Sequence, residues 1–271
     1  MPDIIKECQA AWTAVREKCP LVHNITNYVT VNDVANIELA MGASPIMADD
    51  ENEAADIASI AGAVVINIGT LNSRTMKSMM KAGKAANEKK IPVVFDPVGA
   101  GASALRNETT EKLLKGVKFA VIRGNVSEIS YIAGVSANTK GVDVSDSDKQ
   151  RDKLSIAKTV AKKYGCTTAI TGEVDVITDS VRSVEIRNGT AELSRVTGTG
   201  CMTTGLLGGF AAVCEPFAAA VCAVASMGIA GGLSLEKHGK AGTGSFHIGL
   251  IDAISLMDAE IFSERAKINE L

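Results

Sequence analysis

The 271-residue chain sets 28 Lys+Arg against 31 Asp+Glu, a formal charge of -3 that offers no broad cationic surface to nucleic acid. Hydrophobic residues make up 46% and charged residues 22%, and the 25 glycines are scattered without a period. That excludes collagen-like and low-complexity chains and leaves one soluble α/β domain over residues 1–271 as the expected organisation.

In chain order, the N-terminus is charged throughout where a signal peptide would be apolar, so no targeting segment is expected and the cytoplasm is the expected location. The six cysteines form no CxxC pair and no cluster of zinc spacing, which predicts free thiols. Ile4, Ile5, Cys8, Trp12 and Val15 recur at helical spacing and predict an amphipathic helix over residues 3–18, packed on the domain's outside. Residues 21–25 read as a strand stopped by Thr26-Asn27. A helix follows with Val31, Val34, Ile37 and Met41 on one side and Gly42 as its C-cap. Residues 44–48 are strand-like, and the acidic cluster 49–53 leads into a short helix.

The alternation then becomes regular. Residues 63–68 are apolar on both faces and precede a helix at 73–89; residues 92–95 end at Asp96, 118–122 at Arg123 and 167–170 at Thr171-Gly172. Two-faced apolar runs separated by helices are what parallel βαβ units produce. Right-handed crossovers place the strand C-termini on one edge, where open α/β sheets bind ligands, so Asp96, Arg123, Asn125 and Thr171 are expected to converge on one rim.

Residues 134–148, with Asn138-Thr139-Lys140-Gly141, Asp143, Asp146 and Asp148, read as a polar surface excursion. Residues 174–178 and 181–186 alternate around Asp179-Ser180 and predict an antiparallel hairpin on the sheet edge. The last third is mostly helix. Residues 196–214 and 216–235 are uncharged but rich in Ala and Gly, broken by Glu215-Pro216 and unflanked by basic clusters, so buried helices are expected and not a transmembrane pair.

Three segments carry chemistry. Val196-Thr197-Gly198-Thr199-Gly200-Cys201 leads into an apolar helix. Positive φ and close backbone approach at Gly198 and Gly200, with unpaired N–H groups behind them, would make an anion hole suited to phosphate; an ordinary Gly/Thr helix cap fits the same residues. Asp96-Pro97-Val98-Gly99-Ala100-Gly101-Ala102 supplies a carboxylate and a glycine-rich loop, for a metal, a phosphate or a plain helix cap. Asn125-Val126-Ser127-Glu128 places Glu128 in a helix's first turn, near the rim or as half of a capping pair. Arg123 directly after a buried strand is a costly place for a charge, and recognition of phosphate by its planar fork gives it a reason to be there. GxxxxGK and GxGxxG motifs are absent, which argues against a P-loop kinase and a Rossmann dehydrogenase, and His23, His238 and His247 are too scattered for a metal motif.

Taken together, His23-Asn24-Ile25-Thr26-Asn27, Gly42-Ala43-Ser44-Pro45-Ile46-Met47, Asp96-Pro97-Val98-Gly99-Ala100, Val121 through Glu128, Thr171-Gly172-Glu173-Val174-Asp175 and Gly198-Thr199-Gly200-Cys201 resemble the hydroxyethylthiazole kinases of thiamine biosynthesis and salvage. The resemblance spans nearly the whole chain. It implies a ribokinase-like α/β fold with a central, mostly parallel sheet between helices, a homotrimer with sites near subunit interfaces, and Mg-ATP-dependent phosphorylation of a thiazole alcohol. Neither nucleic acid nor a membrane is an expected partner.

Carried over residue by residue, the resemblance makes Met47 and Gly198 substrate contacts, Arg123 and Thr171 nucleotide-binding residues, and Asp96 and Glu128 the holders of Mg²⁺, directly or through water. The segment 23–28 is the candidate for completing the pocket across an interface, with Asn27 among the substrate contacts. Gly198 and Gly200 would present the backbone N–H groups that stabilise the transferring phosphoryl group. The wider ribokinase group usually has Asp after its Gly-x-Gly, where this chain has Cys201. A helix N-terminus would lower the thiol's pKa and an incoming phosphate would raise it again, so Cys201 is expected to position the hydroxyl, with proton acceptance secondary.

Overall fold

The computed structural model describes residues 4–135, 146–239 and 241–271. The polar excursion expected at 134–148 falls mostly outside them. In chain order the elements are α1 (Ile4–Lys18), β1 (Leu21–Ile25), α2 (Val31–Met41), β2 (Ser44–Ile46), α3 (Ala54–Ile60), β3 (Ala63–Asn67), α4 (Ser73–Glu88) and β4 (Val93–Asp96). Then come α5 (Ala104–Gly116), β5 (Val121–Asn125), α6 (Val126–Ala133), α7 (Asp146–Tyr164), β6 (Thr167–Thr171), β7 (Asp175–Thr178) and β8 (Ser183–Ile186). A 3₁₀ turn (Ala191–Arg195), α8 (Thr199–Ala211), α9 (Pro216–His238), α10 (Thr243–Leu256), α11 (Ala259–Arg265) and β9 (Ile268–Glu270) complete the chain.

The strands form one sheet in the order β2-β1-β3-β4-β5-β6-β7-β8-β9. Pairing is parallel from β2 through β6 and antiparallel from β6 through β9. Successive side chains of a strand face opposite ways, and the core divides accordingly. Val65 and Val94 join Trp12, Leu206, Phe210 and the residues of α9 on one face. Val64, Ile66 and Phe95 join Met79, Leu113 and Ile129 on the other. Helices on both faces explain why β3 and β4 are buried along their whole length.

The uncharged last third is buried for the same reason. Helix α8 lies against the sheet so closely that a Cβ on Gly208 would fall 2.6 Å from Val65 Cγ2 and 2.8 Å from Val22 Cγ1. Helix α9 is long and apolar enough to span a bilayer, yet most of that stretch is buried inside the fold, as expected of a core helix. Helix α1 packs chiefly on α8, α9 and α11, with Trp12 Nε1 donating to Ser226 Oγ at 3.2 Å.

Three expectations need correction. The β7–β8 hairpin is not the sheet edge, because β9 pairs with β8 through Val184–Glu270, Glu185–Asn269 and Ile186–Ile268. The strand expected at 118–122 starts at Val121 and continues to Asn125, so Arg123 and Asn125 belong to β5 and do not follow it. The strand expected at 44–48 stops at Ile46, which leaves Met47 in the loop beyond it.

Candidate active site

The carboxyl ends of the strands gather the polar groups. Asp96 is the last residue of β4 and is 1% exposed. Its Oδ2 accepts from Asn67 Nδ2 at 2.9 Å and Thr204 Oγ1 at 2.7 Å, and lies 3.6 Å from Arg123 Nη1. Oδ1 accepts no hydrogen bond among the described residues, so one carboxylate oxygen is anchored and the other is available. Burial raises the pKa to about 6 against the opposing pull of Arg123 and Thr204.

Beside it, Gly198 is the N-cap of α8 with φ +87°. A Cβ there would meet Thr30 Cγ2 at 2.6 Å, so both the backbone angle and the space require glycine. Gly198→Ala is expected to destabilise the fold by about 2 kcal/mol through left-handed strain and that clash, read as a lowered melting temperature; an unchanged one would contradict it. Gly200 lies within the first turn of α8 and has no positive φ, contrary to expectation. Its role is proximity, since a Cβ would fall 2.8 Å from Arg123 Nη1. The first hydrogen bond of the helix runs from Met202 N to Gly198 O. The N–H groups of residues 199–201 therefore donate to nothing among the described residues, and they stand at the positive end of a 13-residue helix.

Cys201 Sγ accepts from Asn27 Nδ2 at 3.1 Å and Asn67 Nδ2 at 3.2 Å. Its pKa is raised, first by burial and then by the Asp96 charge, more than these amides and Thr30 lower it. The lowering expected from the helix terminus does not prevail, because the thiol is desolvated beside a carboxylate.

Arg123 Nη2 donates to Thr171 Oγ1 at 2.8 Å, while its buried Nε has no partner. Arg123 and Thr171 line a cavity of about 700 Å³ that runs past Gly172, Asp175, Gly189, Leu193, Gly200 and Met227. This volume is of the size that holds a cofactor or nucleotide.

The sequence profile of the hydroxyethylthiazole kinase family matches residues 12–260. The chain belongs to that family. It is 60% identical over 273 residues to the hydroxyethylthiazole kinase of Ruminiclostridium cellulolyticum, covering all of both chains. Among solved structures, the hydroxyethylthiazole kinase of Pyrococcus horikoshii is 40% identical with TM-score 0.89, covering 98% of this chain and 99% of that one. The pyridoxal kinase of Staphylococcus aureus in complex with AMP-PCP shares the fold alone, at 16% identity and TM-score 0.62 over 93% of this chain and 98% of that one. The ribokinase-like α/β architecture implied by the sequence is thus the one observed, and the chain is a phosphotransferase.

Within this hydroxyethylthiazole kinase fold, Glu128 sits in the first turn of α6 and completes a capping box with Asn125. Its Oε2 accepts from Asn125 N at 2.7 Å and its Oε1 from Gly99 N at 2.8 Å, which ties the β4–α5 loop to β5. Met47 is half-buried beyond β2, and Asn27 is buried beyond β1. His23 has a structural role, with Nε2 at 2.7 Å from Ala48 O in the loop that carries Met47.

Four residues of the site were not singled out from sequence. Asn67 and Thr204 hold Asp96, and Arg106 pins two rim loops by donating to Ile68 O and Gly69 O at 2.6 Å and to Val98 O. Asp175, quoted only as part of a motif, lines the cavity and accepts from Gly172 N at 2.8 Å. The one advance signal was the amide of Asn67 inside the otherwise apolar run at 63–68.

Burial raises Asp175 to about 7, opposed by Gly172 N–H, Arg123 and Lys153. A carboxyl whose folded pKa is raised keeps its proton after the unfolded chain has lost it, so folding stability falls as pH rises through the interval between the two values. For ligand-free protein the denaturant midpoint is expected to fall from pH 3.8, the ordinary value, to about 7 and then level. Asp175→Asn should flatten the upper part of that slope. An unchanged slope in the variant would contradict the assignment.

Proposed function

We propose that the chain transfers the γ-phosphoryl group of ATP to the primary hydroxyl of 4-methyl-5-(2-hydroxyethyl)thiazole, the whole of residues 1–271 acting as one domain. The observation that carries this reading is Arg123, held between Thr171 and Asp96 with the N-terminus of α8 against it, on the wall of the 700 Å³ cavity. A guanidinium and a row of unpaired N–H groups facing one space are what a polyphosphate requires. Arg123 and Thr171 bind the nucleotide. The N–H groups of residues 199–201 stabilise charge on the transferring group, and Met47, Asn27 and the Gly198 turn bound the alcohol side.

The donor set fits Mg²⁺. Asp96 offers a free, hard oxygen in Oδ1, while each Glu128 oxygen keeps a lone pair beyond its backbone hydrogen bond and would help hold the ion. Mg²⁺ is commonly held by one or two carboxylates together with nucleotide phosphates, and Asp96 and Glu128 would supply that protein share. When bound, Mg²⁺ neutralises phosphate charge. Cys201, a neutral thiol at pH 7 on the direction of its pKa, positions the hydroxyl and is not the main base. A loose phosphoryl-transfer transition state asks more of alignment than of proton abstraction.

The active form in this reading is a cytoplasmic homotrimer. Tyr28 and Val29 are 77% and 55% exposed directly after Asn27, apolar surface at the edge of the site that a neighbouring subunit would cover. Incubation with Mg-ATP and the thiazole alcohol should give a product heavier by one phosphoryl group, detected by mass spectrometry. Phosphorylation of a pyrimidine methanol in its place would move the substrate assignment to another alcohol.

A further inference from the structure

Asn67, the last residue of β3, stands between two groups of the site that share no hydrogen bond with each other among the described residues. Every hydrogen-bonding position of its side-chain amide is filled. Oδ1 accepts from Gly69 N at 2.8 Å and Asn27 Nδ2 at 3.2 Å, and Nδ2 donates to Asp96 Oδ2 at 2.9 Å and Cys201 Sγ at 3.2 Å. An amide has two acceptor lone pairs and two donor hydrogens, and here all four are used. Turning it over would set oxygen against the Asp96 carboxylate and NH₂ against the Gly69 N–H, so the network admits one orientation. The other four residues of β3 are Ala, Val, Val and Ile. An amide that is 1% exposed at the fifth position costs desolvation that these bonds must offset. The backbone behind it is also drawn close: a Cβ on Gly69 would lie 2.8 Å from Asn27 Nδ2.

We propose that Asn67 is a positioning residue for phosphoryl transfer: its amide fixes the Asp96 carboxylate, on the nucleotide side, relative to the Cys201 thiol, on the alcohol side. The kinetic consequence rests on the kinase reading above; the coupling of the two side chains does not. Both reacting partners approach along this bridge, and alignment errors of about 1 Å cost on the order of 100-fold in rate. Nucleotide affinity is set elsewhere, at Arg123 and Thr171, to which Asn67 makes no hydrogen bond.

The test compares wild type with Asn67→Asp, which keeps size and replaces the donor by an acceptor, and with Asn67→Ser, which stays neutral should the first variant fold poorly. Steady-state kinetics are expected to show kcat lower by about 100-fold with KM for ATP within roughly twofold, the split that marks loss of transition-state alignment and not of ground-state binding. A second reading needs no turnover. Alkylation of Cys201 by iodoacetamide, resolved by peptide mass spectrometry against exposed Cys19 as internal reference, is expected to slow about tenfold when the sulfur loses one of its two amide donors. In a Cys201→Ala background the further loss from Asn67→Asp should be smaller than in wild type, because part of its action is through the sulfur. Unchanged kcat in both variants, unchanged Cys201 alkylation, or equal losses in the two backgrounds would each overturn the proposal. A wild type that phosphorylates another alcohol would displace the thiazole assignment alone, and with no turnover at all the alkylation rates still decide.

Discussion

Arg123→Ala is expected to lower kcat/KM for ATP by about 10³-fold, on the scale of losing an arginine that stabilises phosphoryl-transfer charge. The Arg123 side chain is only 12% exposed, Nη2 is fixed by Thr171 at 2.8 Å, and Nη1 lies 3.6 Å from Asp96, so its fork is already oriented in the ligand-free protein. The same substitution should cost about 3 kcal/mol of folding stability, because it leaves buried carboxylates without the cation that opposes their desolvation. Arg123 lowers the pKa of both Asp96 and Asp175, and without it both should retain a proton to higher pH. Arg123→Lys should restore part of the stability but little activity, since an ammonium cannot reproduce the planar pair of donors. Denaturant unfolding beside steady-state kinetics checks both statements; full activity in Arg123→Lys would show that only charge matters.

Asp96→Asn is expected to lose activity to a similar degree, about 10³-fold in kcat, with the opposite effect on stability. One amide oxygen can take the place of Oδ2 and accept from Thr204 and Asn67, so the buried network survives. What disappears is the free Oδ1 and the charge that burial opposes. Since the carboxyl is raised to about 6, wild type carries that penalty fully above pH 6, partly between 3.8 and 6, and not at all below. The variant should therefore be more stable by about 2 kcal/mol at pH 8, with the difference vanishing near pH 3. Thermal unfolding at those two pH values reads it directly. An inactive variant that is also less stable at pH 8 would mean that Asp96 serves the fold and not the reaction.

The two variants contrast because residues at the strand ends were selected by different terms. Much of this was legible in the sequence. Two-faced apolar runs marked the parallel strands, and Asp96, Arg123 and Thr171 stood out as polar groups at their carboxyl ends, where open α/β sheets bind ligands. The hydrogen bonds between those ends were not legible. Asn67 and Thr204 meet Asp96 across separations of 29 and 108 residues, and no local period encodes that meeting. The stop of β5 was misplaced because the apolar run ends at Ile122, whereas pairing to β6 through Gly124–Ile170 and Asn125–Thr171 carries the strand on. Strand β9 was missed because Ile268-Asn269-Glu270 is too short and polar to show alternation; its existence depends on an open edge at β8. For Glu128 both sequence readings coincide in one side chain, which caps α6 and faces the rim.

The most direct test of the central claim is ADP release in a coupled assay with Mg-ATP, run with and without hydroxyethylthiazole on wild type, Arg123→Ala and Asp96→Asn. Release should depend on the thiazole in wild type and fall by about 10³-fold in both variants. Wild-type release indifferent to the thiazole, or variants that keep wild-type rates, would contradict it.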